Sequence, residues 1–270
     1  MVKSDELFAG SIPELYDRFL VPLIFEPYAH DLAERLRKAG PRDILETAAG
    51  TGALTRMIAS KLPAEMRIVA TDLNQPMLDY AAARQPGDRR IAWRQANAAM
   101  LPFQDAMFDA VACQFGAMFF PDKGQACREA RRVLRPGGHF IFNVWDHISK
   151  NEFADVVTLA LAVLSPNDPP RFLARTPHGY HNTDQIQAEL VAAGFATIAI
   201  DTVEFMSRAL TAADPAIAYC QGTPLRNEIE ARGAPGLDGA TKVAAAALER
   251  RFGNGPVEGR IRAHVITAAQ

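Results

Sequence analysis

Between residues 43 and 146 the chain alternates short apolar runs with longer amphipathic ones, and this alternation constrains the fold more than any other feature. "DILET" (43–47) gives way to helix-compatible residues as far as about Lys61, and "MRIVATD" (66–72) to a helical stretch through about Arg84. "IAWRQAN" (91–97) and "FDAVACQF" (108–115) are two further strand-like runs. "GQACREARRVL" (124–134) has helical spacing and leads through Arg135-Pro136-Gly137-Gly138 into "HFIFNVWD" (139–146). Strand, helix, strand at this spacing predicts a parallel sheet with helices on both faces, a doubly wound α/β fold. "RIVAT" and "FIFNVW" are apolar almost throughout, as strands covered on both sides are.

The flanking segments read differently. Residues 11–38 are helix-like and stop at Gly40-Pro41. Residues 147–182 hold one helix and a loop rich in Pro and Asn; "TDQIQAELVAAGF" (183–195) is a capped helix ending at Gly194, and "TIAIDTVEFM" (197–206) is a strand. Residues 211–258 are mostly helical and punctuated by Gly and Pro, and "GRIRAHVITAA" (259–269) closes the chain as a strand. The expected organisation is an N-terminal helical lid (1–40), a core (41–146), a cap insertion (147–182), a core helix and strand (183–206), a helical cap insertion (207–258) and a final core strand (259–270).

Composition excludes several classes of function. Of 270 residues, 49% are hydrophobic and 22% charged, and the net charge of -2 gives no reason to expect a polyanionic partner. The arginines of "REARRVLR" (128–135) and "ERRF" (249–252) read as solvated helix faces, so no nucleic acid is expected. Cys113, Cys127 and Cys220 show no CxxC spacing, which argues against a disulfide framework or a structural zinc. No histidine spacing supports a metal site. "MVKSDELFAG" has no apolar signal core and "FADVVTLALAVL" (153–164) is too short to span a bilayer, so a cytoplasmic protein without a transmembrane segment is expected. A homodimer is left open.

The chemistry concentrates in "ETAAGTGALT" (46–55), the exit of the first strand. In an open α/β sheet, ligands bind beyond the carboxyl ends of the strands where the strand order reverses. Gly50 and Gly52 allow close backbone approach, and the following helix offers its positive end. Asp72 closes the second strand, 20 positions after Gly52, where a carboxylate can accept both hydroxyls of a ribose. Its structural alternative is a cap on the next helix. A nicotinamide fingerprint, G-x-G-x-x-G, fails at Thr55.

Glu46-x-Ala48-x-Gly50-x-Gly52 instead resembles the acidic-x-Gly-x-Gly-x-Gly loop of class I S-adenosylmethionine-dependent methyltransferases, with one Gly-to-Ala change. "IVATDLNQPMLDYA", "QANAAMLPFQDAMFDAVACQFGAMFFPD" and "REARRVLRPGGHFIFNVWD" resemble further motifs of that family. The likeness covers roughly residues 40–146 and is greatest to the small-molecule branch that includes ubiquinone and menaquinone biosynthesis enzymes. It implies a Rossmann-like, mostly parallel seven-stranded sheet whose last strand is antiparallel, with helical cap insertions, and S-adenosyl-L-methionine as cofactor. A nicotinamide-dependent oxidoreductase and a non-catalytic S-adenosylmethionine-binding protein are the competing readings.

Carried over by position, the resemblance implies that Glu46 orients the methionine amino end. Ala48, Gly50 and Gly52 bring backbone against the amino acid and ribose, and Asp72 binds the ribose hydroxyls. Leu73 and Met77 lie against adenine, Asn97 and Ala98 contact its polar edge, and Gln114 faces the methionine end. Asn97 and Ala99 stand where the family often has acids, and Ala48 requires that its position not need positive φ. Tyr16 belongs to a lid over the cofactor. Phe25, Tyr28, Phe115 and Phe119, with Met118 and Phe120, either line a pocket for an apolar or aromatic small-molecule acceptor or pack the core. No catalytic dyad is visible; His147, His178 and His181 are base candidates, with surface or hydrogen-bonding roles as the alternative. "CQFG" replaces the Asp/Asn-Pro-Pro-aromatic motif of amino-directed DNA methyltransferases, and "NDPPRF" lies outside the sheet as a turn.

Overall fold

The computed structural model describes Gly10 and residues 12–270. The stretch read for a signal core, apart from Gly10, and the Ser11 start of the expected first helix lie outside the described residues. The chain runs α1 (Ile12–Leu15), a π-helix (Tyr16–Phe25), α2 (Glu26–Ala39), β1 (Asp43–Glu46), α3 (Ala53–Lys61), β2 (Arg67–Asp72), α4 (Gln75–Arg84), β3 (Ile91–Gln95), β4 (Phe108–Gln114), α5 (Lys123–Val133) and β5 (Leu134–Trp145). There follow α6 (Glu152–Leu164), α7 (Phe172–Arg175), α8 (Thr183–Ala192), β6 (Thr197–Ala209), α9 (Ala213–Gln221), α10 (Leu225–Ala231), α11 (Gly236–Phe252) and β7 (Val257–Ala269).

The strands form one seven-stranded sheet in the order β3-β2-β1-β4-β5-β7-β6, mostly parallel with the last strand antiparallel. β1 pairs in parallel with β2 on one side and β4 on the other, so the order reverses at β1. The loop that follows β1 therefore leaves the sheet at its switch point, where an open α/β fold binds ligands.

Two elements differ from the periodicity reading. Residues 16–25 are a π-helix rather than an α-helix, with Pro22 inside it. Proline has no N–H to donate and its ring displaces the preceding turn, which a wider turn accommodates. Arg135-Pro136-Gly137-Gly138 is a bulge inside β5, not a break before it. Phe108 pairs with Leu134 but Ala110 with His139, so β5 carries extra residues there. Gly137 takes φ 78°, and Arg135 anchors the bulge on Asp109 at 2.6 Å and Asp43 at 2.9 Å.

Contacts group the chain into two units. One comprises residues 26–144, 181–203 and 263–270 and contains most of the sheet. Its core joins Leu32 and Leu36 of α2, Ile44 of β1, Leu54 and Ile58 of α3, Ile68 of β2, Ile141 of β5 and Val265 of β7, all essentially buried. Each such side chain contributes about 1.5–3 kcal/mol by leaving water. α2 ends as Gly40-Pro41 led one to expect: Gly40 adopts φ 63° and its N–H returns to Leu36 O at 3.0 Å.

The other unit comprises residues 1–25, 145–180 and 204–262. α11 packs on α6 and α9, and the π-helix packs on α9. Buried Asn151 ties it together: its Oδ1 accepts from Arg262 N at 3.0 Å, and its Nδ2 donates to Arg262 O at 3.2 Å and to Asp146 O at 3.3 Å. Among the described residues, no helix is long and apolar enough to cross a membrane, and no cluster of His, Cys, Asp or Glu could hold a metal ion.

Candidate active site

β1 and β2 end side by side in acids, Glu46 and Asp72, and "TAAGTG" runs between β1 and α3. The loop is fixed from both sides: Thr47 N donates to Ala112 O of β4 and Ala49 N to Thr71 O of β2, each at 2.9 Å. Gly50 and Gly52 adopt φ 56° and 80°, the left-handed region that glycine enters at no steric cost. A side chain on Gly52 would press on Trp93 at 3.0 Å and Ala81 at 3.1 Å.

Asp72 is buried, and both its carboxylate oxygens are anchored. Oδ2 accepts from Gly50 N at 2.9 Å and Oδ1 from Asn74 N at 2.8 Å. The N-cap of α4 is Asn74, so Asp72 braces the glycine loop rather than capping that helix. Oδ2 keeps a second lone pair for a ribose hydroxyl, whereas Oδ1 also receives a longer contact from Asn74 Nδ2 at 3.5 Å, which a second hydroxyl would have to displace. Burial pushes the Asp72 pKa up, against the backbone donors that pull it down.

Thr55, the residue that breaks the nicotinamide fingerprint, has a specific task. Its hydroxyl donates to Glu46 Oε2 at 2.6 Å inside the protein. Burial raises the Glu46 pKa to about 8, opposed by the Thr55 hydrogen bond and the Arg56 charge. A glycine here would leave that carboxyl without its donor. Thr51 Oγ1 and Asn143 Nδ2 are the buried side-chain polar atoms without a hydrogen-bond partner among the described residues. Two acids at the strand ends, two left-handed glycines and an orphaned Thr51 hydroxyl in the loop fit S-adenosylmethionine, a ligand with an ammonium, a ribose and a carboxylate.

Ala48 takes φ 53°, so the alanine does not escape the positive φ that a glycine would take freely. The loop accommodates it through a neighbour: a Cβ on Gly116 would overlap the Ala48 Cβ. Gly116→Ala is therefore expected to destabilise the protein by about 1–3 kcal/mol through overpacking. The double variant with Ala48→Gly should recover part of that loss, since Cys113 Sγ, 2.9 Å from such a Cβ, still crowds it; urea unfolding of the two proteins would show this. Equal midpoints for the single and double variants would refute the pairing.

The β4 exit is also strained. Phe115 adopts φ 49°, a conformation that costs a bulky residue on the order of 1–3 kcal/mol. Its N–H donates to Asn143 Oδ1 at 2.9 Å, and its ring meets Tyr28 of α2 edge-on, centroids 5.2 Å apart. Gln114 ends β4 in register with Asn143, and Met77 is buried with its Cε facing Gly50. Leu73 is exposed. Asn97 forms a turn on the surface, its Oδ1 accepting from Ala99 N at 2.9 Å beside half-buried Ala98. Phe119 is half-buried in a short 3-10 turn.

In the other unit Tyr16 stacks on Phe25 at 5.0 Å, Phe25 meets Trp145 at 6.0 Å and Trp145 meets His178 at 5.9 Å. His178 is buried, and its Nδ1 lies 2.9 Å from Asp146 O, which fixes the proton on Nδ1. His147 caps a short 3-10 helix, its Nδ1 bonded to Ser149. His181 is half-buried. At the opposite, amino end of the strands a cavity of about 960 Å³ includes Arg67, Asp43, Asp109 and Arg135, which pair with one another.

Thr51, Thr55, Gly116 and Asn143 were not among the residues expected from sequence. A polar residue inside the doubly covered run "FIFNVW" was the one available signal, for Asn143.

Comparison with known proteins agrees with this geometry. Residues 45–142 match the methyltransferase domain family. The chain is 33% identical over 179 residues to a demethylmenaquinone methyltransferase from Thermus thermophilus, covering 62% of this chain and 79% of that one. It is 33% identical over 171 residues to the ubiquinone/menaquinone biosynthesis C-methyltransferase UbiE of Xylella fastidiosa, covering 58% and 67%. Among solved structures it resembles phosphoethanolamine N-methyltransferase 2 of Haemonchus contortus in complex with S-adenosyl-L-methionine. That likeness has a TM-score of 0.57 at 15% identity, covers 95% of this chain and 56% of that one, and speaks to the fold.

Proposed function

We propose the acceptor of this enzyme from one premise: the chain belongs to the class I S-adenosylmethionine-dependent methyltransferases, in their ubiquinone- and menaquinone-biosynthesis-like branch. It is a transferase that uses S-adenosylmethionine. The acceptor is an aromatic diol of the reduced naphthoquinone type, methylated on a ring carbon. The observation that carries this is the Phe115 ring, held in a strained conformation where β4 leaves the sheet and braced by Tyr28. The activities for which the Thermus and Xylella relatives are named support the same acceptor class.

When bound, the cofactor supplies a sulfonium methyl that departs without the S–C electron pair, so the acceptor gains CH₃ and releases one proton. The chain's part is binding and orientation. Asp72 takes the ribose hydroxyls, Glu46 faces the amino end, Gly50 and Gly52 admit the backbone of the loop, and Met77 and Leu73 lie against adenine. Gln114 stands on the methionine side, and Asn97 and Ala98 meet the adenine edge. Phe115, buried at the β4 exit, would border the acceptor and is backed by the wholly buried Tyr28; in the other unit Tyr16 stacks on the buried Phe25. Holding reactants in line and excluding water accounts for large accelerations without a general base.

Incubation with S-adenosylmethionine and 1,4-naphthalenediol, kept reduced, is expected to release S-adenosylhomocysteine and a product one methylene heavier, methylated on carbon. Methylation on oxygen alone, or turnover confined to amines in a parallel panel, would overturn the assignment.

A further inference from the structure

We infer that Asn143 is a positioning residue that sets the acceptor-facing ring of Phe115, an inference that rests on the acceptor reading of Phe115 above. Asn143 sits two residues before the carboxyl end of β5, fully buried, in register with Gln114 at the end of β4. Side chains alternate along a strand, so Asn143 shares a face with Ile141, which packs in the core with α2. Its amide is half satisfied: Oδ1 accepts from Phe115 N at 2.9 Å, whereas Nδ2 is buried without a partner among the described residues. An apolar residue of the same volume would leave no orphaned NH₂, and a buried orphan donor is costly. What the amide supplies is therefore the acceptor for the Phe115 N–H.

That bond matters because of where Phe115 lies. At φ 49° the residue occupies a region an aromatic side chain leaves when released. In an extended or right-handed conformation its N–H and its ring would both point elsewhere. The amide oxygen holds the N–H, Tyr28 holds the ring edge-on, and Gly116 is packed under Ala48. Three different segments thus converge on two consecutive residues. Of the three, the Asn143 contact acts on the backbone, and so decides which way the ring projects. The flip of the amide is also fixed, since an NH₂ turned toward the Phe115 N–H would set donor against donor.

The test uses the full chain with Asn143→Leu, Asn143→Asp and Phe115→Gly. Asn143→Leu is expected to raise amide hydrogen exchange at Phe115 at least about tenfold, since the N–H loses its buried partner. It should lower kcat/KM for 1,4-naphthalenediol by about tenfold while leaving the affinity for S-adenosylhomocysteine within about twofold. Asn143→Asp keeps an oxygen toward Phe115 in either protonation state and should restore both readouts, which also covers the case in which the leucine variant does not fold.

Glycine at 115 adopts the conformation unaided, so adding Asn143→Leu to Phe115→Gly should produce no second loss. Equal losses in both backgrounds, or unchanged exchange at Phe115 in Asn143→Leu, would overturn the positioning role. Phe115→Gly with wild-type acceptor kinetics would instead overturn the acceptor reading of Phe115. The exchange measurement needs no acceptor, so it judges Asn143 even if the diol proves the wrong substrate.

Discussion

Asp72→Ala is expected to weaken S-adenosylmethionine binding about 100-fold or more, as read by calorimetry. The carboxylate can take one ribose hydroxyl on Oδ2 and a second on Oδ1 by displacing the long Asn74 Nδ2 contact, and hydrogen bonds to a charged group contribute about 1.5–3 kcal/mol each. Two of them exceed the roughly 2.7 kcal/mol that a hundredfold represents. The variant also loses the anchors at Gly50 N and Asn74 N, so thermal unfolding belongs beside the titration. A modest drop in unfolding temperature with binding lost is the expected pair of results. Affinity retained within about threefold would sink the ribose role.

Glu46 gives the second large effect, through pH. Its folded pKa lies at about 8, well above the ordinary 4.5 of a glutamate, because the carboxyl is buried. The sign follows from proton counts. Below pH 4.5 both folded and unfolded chains hold the proton, so Glu46 costs nothing. Between 4.5 and about 8 the unfolded chain has released the proton and the native one keeps it, so stability falls as pH rises and then levels off. Glu46→Gln should flatten that decline, leaving the variant more stable relative to wild type at pH 9 than at pH 5.

Cofactor binding runs the other way. A cationic amino end near Glu46 favours the ionised form, so affinity should rise with pH, approaching tenfold per unit, until about pH 8. Binding below that pH should release a proton, visible as a dependence of the calorimetric heat on buffer ionisation enthalpy. Glu46→Gln should bind more weakly at pH 8 and lose the pH slope. Identical slopes in both proteins would show that Glu46 does not meet the amino end.

Much of the sheet was legible because periodicity and covered strands leave few alternatives, and every strand of the parallel half falls within a residue or two of its apolar run, except at β5. There "RPGG" punctuates like a turn, yet its backbone stays in the ladder as a bulge because Arg135 finds Asp43 and Asp109 below it. Such a pairing depends on residues far apart in the chain. The same holds for "REARRVLR". Its arginines read as a solvated face, and some are partly exposed, but Arg132 reaches Leu101 O, Phe103 O, Asp105 and Glu129, and Arg131 reaches Gly194 O. Local pattern fixes the face of a helix and says nothing about which carbonyls pass in front of it.

The site was legible where its chemistry is local to the loop. Glycines, acids and their spacing lie within one stretch and its neighbouring strand. Thr55 read as a mismatch because a fingerprint scores glycine and not what replaces it; its value lies in Glu46, nine residues earlier. Asn143 showed only as a polar residue in an apolar run; its partner, the Phe115 N–H just past the end of β4, could not be read from that run.

The Ala48–Gly116 packing bears on how this protein can change over generations. The Ala48 methyl fills space that a side chain at 116 would need, and Cys113 Sγ, 2.9 Å from that position, borders the same space. A lineage that keeps alanine at 48 must keep glycine at 116; one that restores glycine at 48 removes the nearer obstacle and leaves Cys113 as the other. Among homologues the two positions should therefore vary as a pair. Redesign of the acceptor-side turn for a new substrate therefore has to begin at the loop that binds the cofactor, much earlier in the chain.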